Sequence, residues 1–154
     1  MTNEDQNIVL SLIQEQLEKE DFSTELTQSQ QGPVLRTVIP LLEEEQGQVL
    51  VEICALTYND QIDLVQIFST MLLEPGPGLE TLRGQLNSWN LVAIAGAYGI
   101  YDQMGQLYHK YNVAIDSTLD LESKAGQAFL GLCAALDEMC GRIKEAITLS
   151  AGQA

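Results

Sequence analysis

Side chains able to do chemistry are few in this sequence, and none stands at a spacing that a recognised reaction requires. The only histidine, His109, lies inside "LYHKYNVAID". An imidazole acting as a general base needs a nucleophile to serve and a carboxylate to orient it. No Ser, Cys or Asp accompanies His109 at motif spacing, so it reads as a core-facing or partly exposed strand residue. There is no GxSxG, HExxH or P-loop, and Gly96 and Gly99 fall in a strand-like run instead of a phosphate-binding turn.

The three cysteines, Cys54, Cys133 and Cys140, show no CxxC spacing. Cys133 and Cys140 are seven apart in a helical pattern, which separates them by about 10 Å along the axis. That distance is too long for a disulfide, and reduced, mostly buried thiols are expected. One histidine and scattered cysteines do not compose a zinc site. Glu43, Glu44 and Glu45 read as a solvated hairpin tip. No enzymatic activity, metal or cofactor is expected.

The elements that must position these residues are clearer. Thr2 or Asn3 can cap a helix over 3–19 with Ile8, Val9, Leu10, Leu12, Ile13 and Leu17 on a wide apolar stripe. Residues 22–31 alternate loosely, as a weak edge strand would. "VLRTVIPLLEEEQGQVLVEICALTY" reads as a β-hairpin: Leu35, Ile39 and Leu41 share one face, and Val49, Val51, Ile53 and Ala55 share a face of the second strand. Pro40 has no amide donor and implies an edge or a bulge. A helix capped by Asn59 or Asp60 is predicted to reach Leu73, with Leu64, Val65, Phe68, Met71 and Leu72 inward, until "EPGPG" stops it. A short helix follows through Leu79, Leu82, Leu86 and Trp89. Two strands, 91–101 and 106–116, then flank "DQMG", with Gly105 suited to the turn. In the first, Ala93, Ala95, Ala97 and Gly99 share a nearly flat face.

The last helix is predicted to run from Asp120 to Leu149. Ala125, Phe129, Leu132, Leu136, Met139, Ile143 and Ala146 alternate in steps of four and three, an apolar seam of three heptads. The seam either covers the sheet of its own subunit or meets in part a second subunit, whose backbone Gly131 and Ala135 would let approach closely.

With 154 residues and 45% hydrophobic content, the chain is read as one domain, residues 1–154, with a core of its own. The acidic N-terminus and the lack of a long apolar run point to a cytoplasmic protein, not to a secreted or membrane-spanning one. The net charge is −15, and most of it lies in residues 1–82, where 15 acids face only Lys19 and Arg36. Such a field repels phosphate backbones and anionic membranes; it either serves only to keep the chain soluble or suits a basic partner.

Asn87, Trp89, Asn90, Gly99, Asp102 and Gly105 carry a resemblance to a known family. The stretch "LNSWNLVAIAGAYGIYDQMGQLYHKYNVAID", with the helix after it, resembles the YbjN-like family. The order of elements resembles the type III secretion chaperones, which share that fold. The resemblance implies a non-enzymatic, usually dimeric α+β domain; in the chaperones this domain holds an extended client segment.

The fold expected is α+β: a twisted, mainly antiparallel sheet, helices packed on one side, and a long C-terminal helix. The expected function is that of a homodimeric protein-binding module of the YbjN or secretion-chaperone-like kind, holding a segment of a partner protein. Ala93, Ala95, Ala97, Leu132, Ala135 and Met139 are its candidate partner-binding residues. The alternative is a small-molecule-sensing regulatory domain with a pocket between the C-terminal helix and the sheet.

Overall fold

The computed structural model describes residues 1–43, 45–71, 73, 76–101 and 105–152. Glu44, Leu72, Glu74, Pro75 and the turn residues Asp102, Gln103 and Met104, all of which enter the sequence reading, lie outside the described residues.

In chain order the elements are α1 (Asn3–Lys19), β1 (Thr24–Ser29), β2 (Gly32–Pro40), a 3-10 turn (Glu45–Gly47), β3 (Gln48–Thr57), β4 (Ile62–Met71), α2 (Leu79–Val92), β5 (Ala97–Ile100), β6 (Leu107–Asp116), α3 (Leu121–Cys140) and α4 (Ile143–Ser150). The strands form one sheet in the order β1-β2-β3-β4-β6-β5, and every neighbouring pair is antiparallel. The fold is α+β, as the sequence implies.

Local signals explain most of these elements. At the start of α1 the Thr2 hydroxyl accepts from the Asp5 N–H, and the Asp5 carboxylate accepts from the Thr2 N–H. This reciprocal box satisfies two backbone donors that the helix leaves open. Val9, Leu10, Ile13 and Leu17 then turn inward. The weak strand is the edge strand β1, and the hairpin is β2–β3 with Leu35 opposite Ile53. Pro40 sits at the end of β2, beyond the last residue that β1 pairs, Thr37. The Leu41 N–H points to β3, donating to the Gly47 carbonyl at 2.7 Å, so the proline nitrogen faces the side that β1 has already left. A missing donor costs nothing there.

Three elements differ from expectation. The predicted helix over 60–73 is the central strand β4. Its side chains alternate through Ser69: Asp63, Val65, Ile67 and Ser69 are buried, while Ile62, Leu64, Gln66 and Phe68 lie half-buried on the other face, and Thr70 and Met71 at the end are both buried. The Asn59 side chain does accept backbone N–H groups, from Gln61 and Ile62 at 2.9 Å each, but it closes the β3–β4 turn instead of opening a helix. Asx side chains serve both purposes, and β-branched Ile62, Val65, Ile67 and Thr70 settle the competition for a strand.

The predicted strand over 91–101 is confined to Ala97–Ile100, because α2 continues through Val92. The C-terminal helix is two helices. Asp120 caps α3, accepting from the Ser123 N–H at 2.7 Å, and the helix stops at Gly141 before α4 resumes at Ile143. Glycine is a poor helix former and allows the break, yet the inward seam persists across it through Met139, Ile143 and Ala146.

All four helices lie on one face of the sheet. α1 covers β2 and β3, α3 covers β6 and packs along α1, and α2 rests on β5 and α4. Gly131 and Ala135, read as a close-approach site for a second chain, are buried inside this one. A Cβ on Gly131 would lie 2.3 Å from Val113 Cγ2 of β6, so the small residue seats α3 on its own sheet. No helix among the described residues is long and apolar enough to cross a membrane.

One charged pair lies within this core. Lys124 Nζ of α3 donates to Asp63 Oδ2 of β4 at 2.7 Å, with both side chains buried, and the amine of Met1 stands 3.7 Å from Asp63 Oδ1. Burial pushes the Asp63 carboxyl up, but the hydrogen bond and charge of Lys124, together with that amine, outweigh it and hold the carboxyl below its ordinary value. Removing one partner of such a pair strands the other charge. Lys124→Met should therefore lower the unfolding free energy by about 3–5 kcal/mol in a urea titration. The double variant Asp63→Leu with Lys124→Met should recover most of that loss, and a single variant as stable as the parent would contradict the assignment.

Candidate interaction surface

The turn between α2 and β5 combines unusually dense anchoring with unusually exposed apolar side chains. Its anchors start from Trp89, which Leu82 and Leu86 precede at helical spacing. Trp89 is buried and meets Tyr98 of β5 edge to face, ring centroids 5.4 Å apart. Tyr98 in turn meets His109 of β6 at 4.9 Å, in a similar arrangement. Edge-to-face pairs of this kind add to the stabilisation that burial alone provides.

Asn90 holds the other side of Tyr98. Its Nδ2 donates to the Tyr98 carbonyl at 3.1 Å, and its Oδ1 accepts from the Tyr98 N–H at 2.7 Å. β5 is an edge strand, so this carboxamide stands where the backbone of a further strand would pair. It thereby satisfies both open groups of that residue and closes part of the edge.

His109 fixes the turn from beneath. Its ring is fully buried, and Nε2 lies 2.6 Å from the Ala95 carbonyl. An oxygen acceptor at that distance assigns the proton to Nε2. Nδ1 is buried without a hydrogen-bond partner among the described residues. Gly96 follows with φ of 78°, and a Cβ there would come within 2.7 Å of the imidazole and 2.5 Å of the Lys110 carbonyl. Only glycine fits both that backbone conformation and that space. On the helical side, the Tyr98 hydroxyl donates to the Glu138 carbonyl at 3.2 Å, and the Arg142 guanidinium lies 5.7 Å from the centre of the Trp89 ring. Burial, and next the Glu138 charge, push the Tyr98 phenol far above its ordinary value.

What this scaffold holds outward is apolar. Leu91 is 79% exposed, Val92 63% and Ile94 96%. A scattered exposed apolar residue needs no explanation, but three within four positions on an anchored turn form a protruding patch.

The sequence-derived candidates divide between this turn and the core. Ala93 ends α2 half-buried, Ala95 is buried with its carbonyl on His109, and Ala97 is exposed at the start of β5. These three share the turn, although not the flat strand face expected of them. Leu132, Ala135 and Met139 are buried under the sheet-facing side of α3 and do not reach the surface. Leu91, Val92 and Ile94 were missed as surface residues because they were read as strand. Helical phase could have found the first: Leu91 stands two residues past Trp89, about 200° around the helix from the buried stripe.

His109 is core-facing, one of the two placements the sequence allowed. The expectation of mostly buried thiols fails for two of three: Cys133 and Cys140 are exposed and Cys54 is half-buried. Cys133 and Cys140 each follow an inward residue, Leu132 and Met139, which turns them to the solvent side of α3. All three are free, and burial is the main cause raising each thiol above its ordinary value. Among the described residues, no group of three or more His, Cys, Asp or Glu side chains is placed to hold a metal ion.

No protein-family model matches the chain, and no curated protein is significantly similar to it.

Burial holds the imidazole of His109 below its ordinary value, although the Ala95 carbonyl and the Glu138 charge pull the other way. A histidine whose proton affinity falls on folding stabilises the fold fully above the unfolded value of about 6.5 and loses that contribution as pH falls further. Stability of the wild-type chain should thus decline as pH falls below about 6.5, by at most about 1.4 kcal/mol per unit. His109→Gln, which retains a donor for Ala95, should flatten that limb in urea titrations at several pH values. A variant with the same slope as the parent would place the titration elsewhere.

Proposed function

We propose that the protein is a protein-binding module of the YbjN or secretion-chaperone-like kind, acting in the cytoplasm without catalysis of its own. One observation carries this reading: the exposed apolar tip of Leu91, Val92 and Ile94 on a turn pinned by Trp89, Asn90, Tyr98 and His109. A surface fixed before binding loses little conformational entropy on docking, so its apolar area converts more fully into affinity. Three of the six residues that carry the YbjN-like resemblance, Trp89, Asn90 and Gly99, build or border this turn.

The partner would offer an apolar cleft for Ile94 and Leu91, flanked by Ala93. A basic surround suits it, since the chain carries −15 overall. Opposite charge of that kind raises the association rate more than the final affinity. The sensing-domain alternative finds less support. α3 sits flush on the sheet where Gly131 meets Val113, and the hollow of about 480 Å³ beside α3 opens between α1 and α3, lined by Leu12, Ala125 and Phe129 with charged rims.

Ile94→Asp and Leu91→Ser change side chains that already face water, so both variants should fold with stability within about 0.5 kcal/mol of the parent. Each should lose a protein that the tagged wild-type chain retains from its source cells at low salt, as read by mass spectrometry. Association measured with that protein should slow several-fold at about 0.5 M salt, where screening shortens to a few Å. Retention of the same proteins by wild type and both variants would sink the assignment to this turn.

A further inference from the structure

The face of the sheet opposite the helices is a second, separate surface. Strand alternation puts Val34 and Val38 of β2, Leu50 of β3, Phe68 of β4 and Tyr108 of β6 on it, and Tyr101 joins them from beyond β5. No helix of the described chain covers them. The aromatic side chains gather into one group: Phe68 stacks on Tyr108 at 5.1 Å, and Tyr101 lies 5.8 Å from Phe68 and 4.9 Å from Tyr108. Val38 and Tyr101 are 45% and 41% exposed.

The charge on this face is the telling feature. The chain holds 22 acids against seven bases, yet the strands present only Glu25, Glu52 and Asp116 on this side, against Arg36 and Lys110. Arg36 and Glu52 neutralise each other directly, with Nε donating to Oε2 at 2.8 Å. The remaining acids are concentrated elsewhere, many on the water-facing side of α1, at Glu4, Glu15, Glu18 and Glu20. A basic partner would gain little from docking here. Two copies of the chain, by contrast, can meet through a near-neutral face with their acidic surfaces held apart.

The dimensions suit such a pairing. β2, β3, β4 and β6 have nine or ten residues each. At about 3.3 Å per residue and 4.8 Å between strands, they span a face of roughly 600–700 Å². A stable interface of standard size takes about 800 Å² from each partner, and the flanking strands supply the difference.

We infer that the helix-free sheet face is a symmetric interface between two copies of this chain. Face-to-face packing of two such sheets about a two-fold axis places the aromatic group of each copy in the buried centre and leaves the α2–β5 turns free. The surface is distinct from the proposed partner-binding turn, so either assignment can fail without the other.

Sedimentation equilibrium with the full chain tests this. The wild type should show twice the monomer mass of 16.9 kDa. Val38→Lys and Tyr101→Lys, which alter groups already in contact with water in a single copy, should each weaken the dimer about tenfold or more, with the circular dichroism spectrum unchanged. Ile94→Asp should leave the dimer intact. Raising salt to about 0.5 M should hold or tighten the dimer, because it screens repulsion between the acidic surfaces. Alkylation supplies a second reading: Cys54, on the same face, should be slow in the wild type and faster in Tyr101→Lys, while exposed Cys133 and Cys140 react alike in both. A monomeric wild type overturns the inference. So do a dimer unmoved by both lysine variants, one lost in Ile94→Asp, one that weakens as salt rises, or equal Cys54 reactivity in both proteins.

Discussion

A six-stranded sheet with helices on only one side imposes the constraint on which the rest of this structure depends. Each strand must divide its side chains between a dry face and a wet one, and β2, β3 and β4 do so residue by residue. The dry face holds nearly all the long aliphatic core, closed by Val9, Leu10, Ile13 and Leu17 of α1 and by Leu132, Ala135 and Met139 of α3. Burying a charge or a ring N–H on that side is costly without a partner, and Asp63 accordingly faces Lys124 and Nε2 of His109 faces the Ala95 carbonyl. The same division leaves apolar side chains on the opposite face with no cover from the described helices.

The end of the sheet near β5 shows how an edge can be closed and used together. An unpaired strand edge invites another strand. Here one carboxamide, that of Asn90, takes up both backbone groups of Tyr98, and the Trp89–Tyr98–His109 ring stack locks helix, edge strand and inner strand into one unit. The turn that this unit fixes carries Leu91, Val92 and Ile94 into water. Rigidity and apolar exposure arise from the same few residues, so the binding reading and the packing cannot be separated at this corner.

Much of the architecture was legible in the sequence, and the failures have physical causes. The α1 cap, the β2–β3 hairpin, the α2 stripe and the Asp120 cap depend on interactions within a few residues, and all appear where local chemistry puts them. β4 was misread because Leu64, Val65, Phe68 and Met71 fit a helical stripe as well as a strand, and its pairing partners in β3 and β6 lie far away in sequence. The small residues Ala93, Ala95 and Ala97 looked like one face of a long strand; in fact they let a helix end, a turn pass over His109 and a short strand begin. Leu132, Ala135 and Met139 were candidates for contact because a heptad seam looks the same whether it meets its own sheet or a second chain. Val113, which fills the space over Gly131, decides the matter and is invisible to local pattern.

Binding at this corner requires that the apolar surface be held rigid before any partner arrives. Backbone amide relaxation and hydrogen exchange over residues 89–98 of the isolated protein measure this most directly. Order parameters near 0.85 are expected for Leu91 to Gly96, like those of rigid backbone, with a Tyr98 amide that exchanges as slowly as those in the central strands because Asn90 holds it. Low order parameters in the turn, or a rapidly exchanging Tyr98 amide, would mean that the apolar tip is a mobile loop, and the preformed surface would not exist.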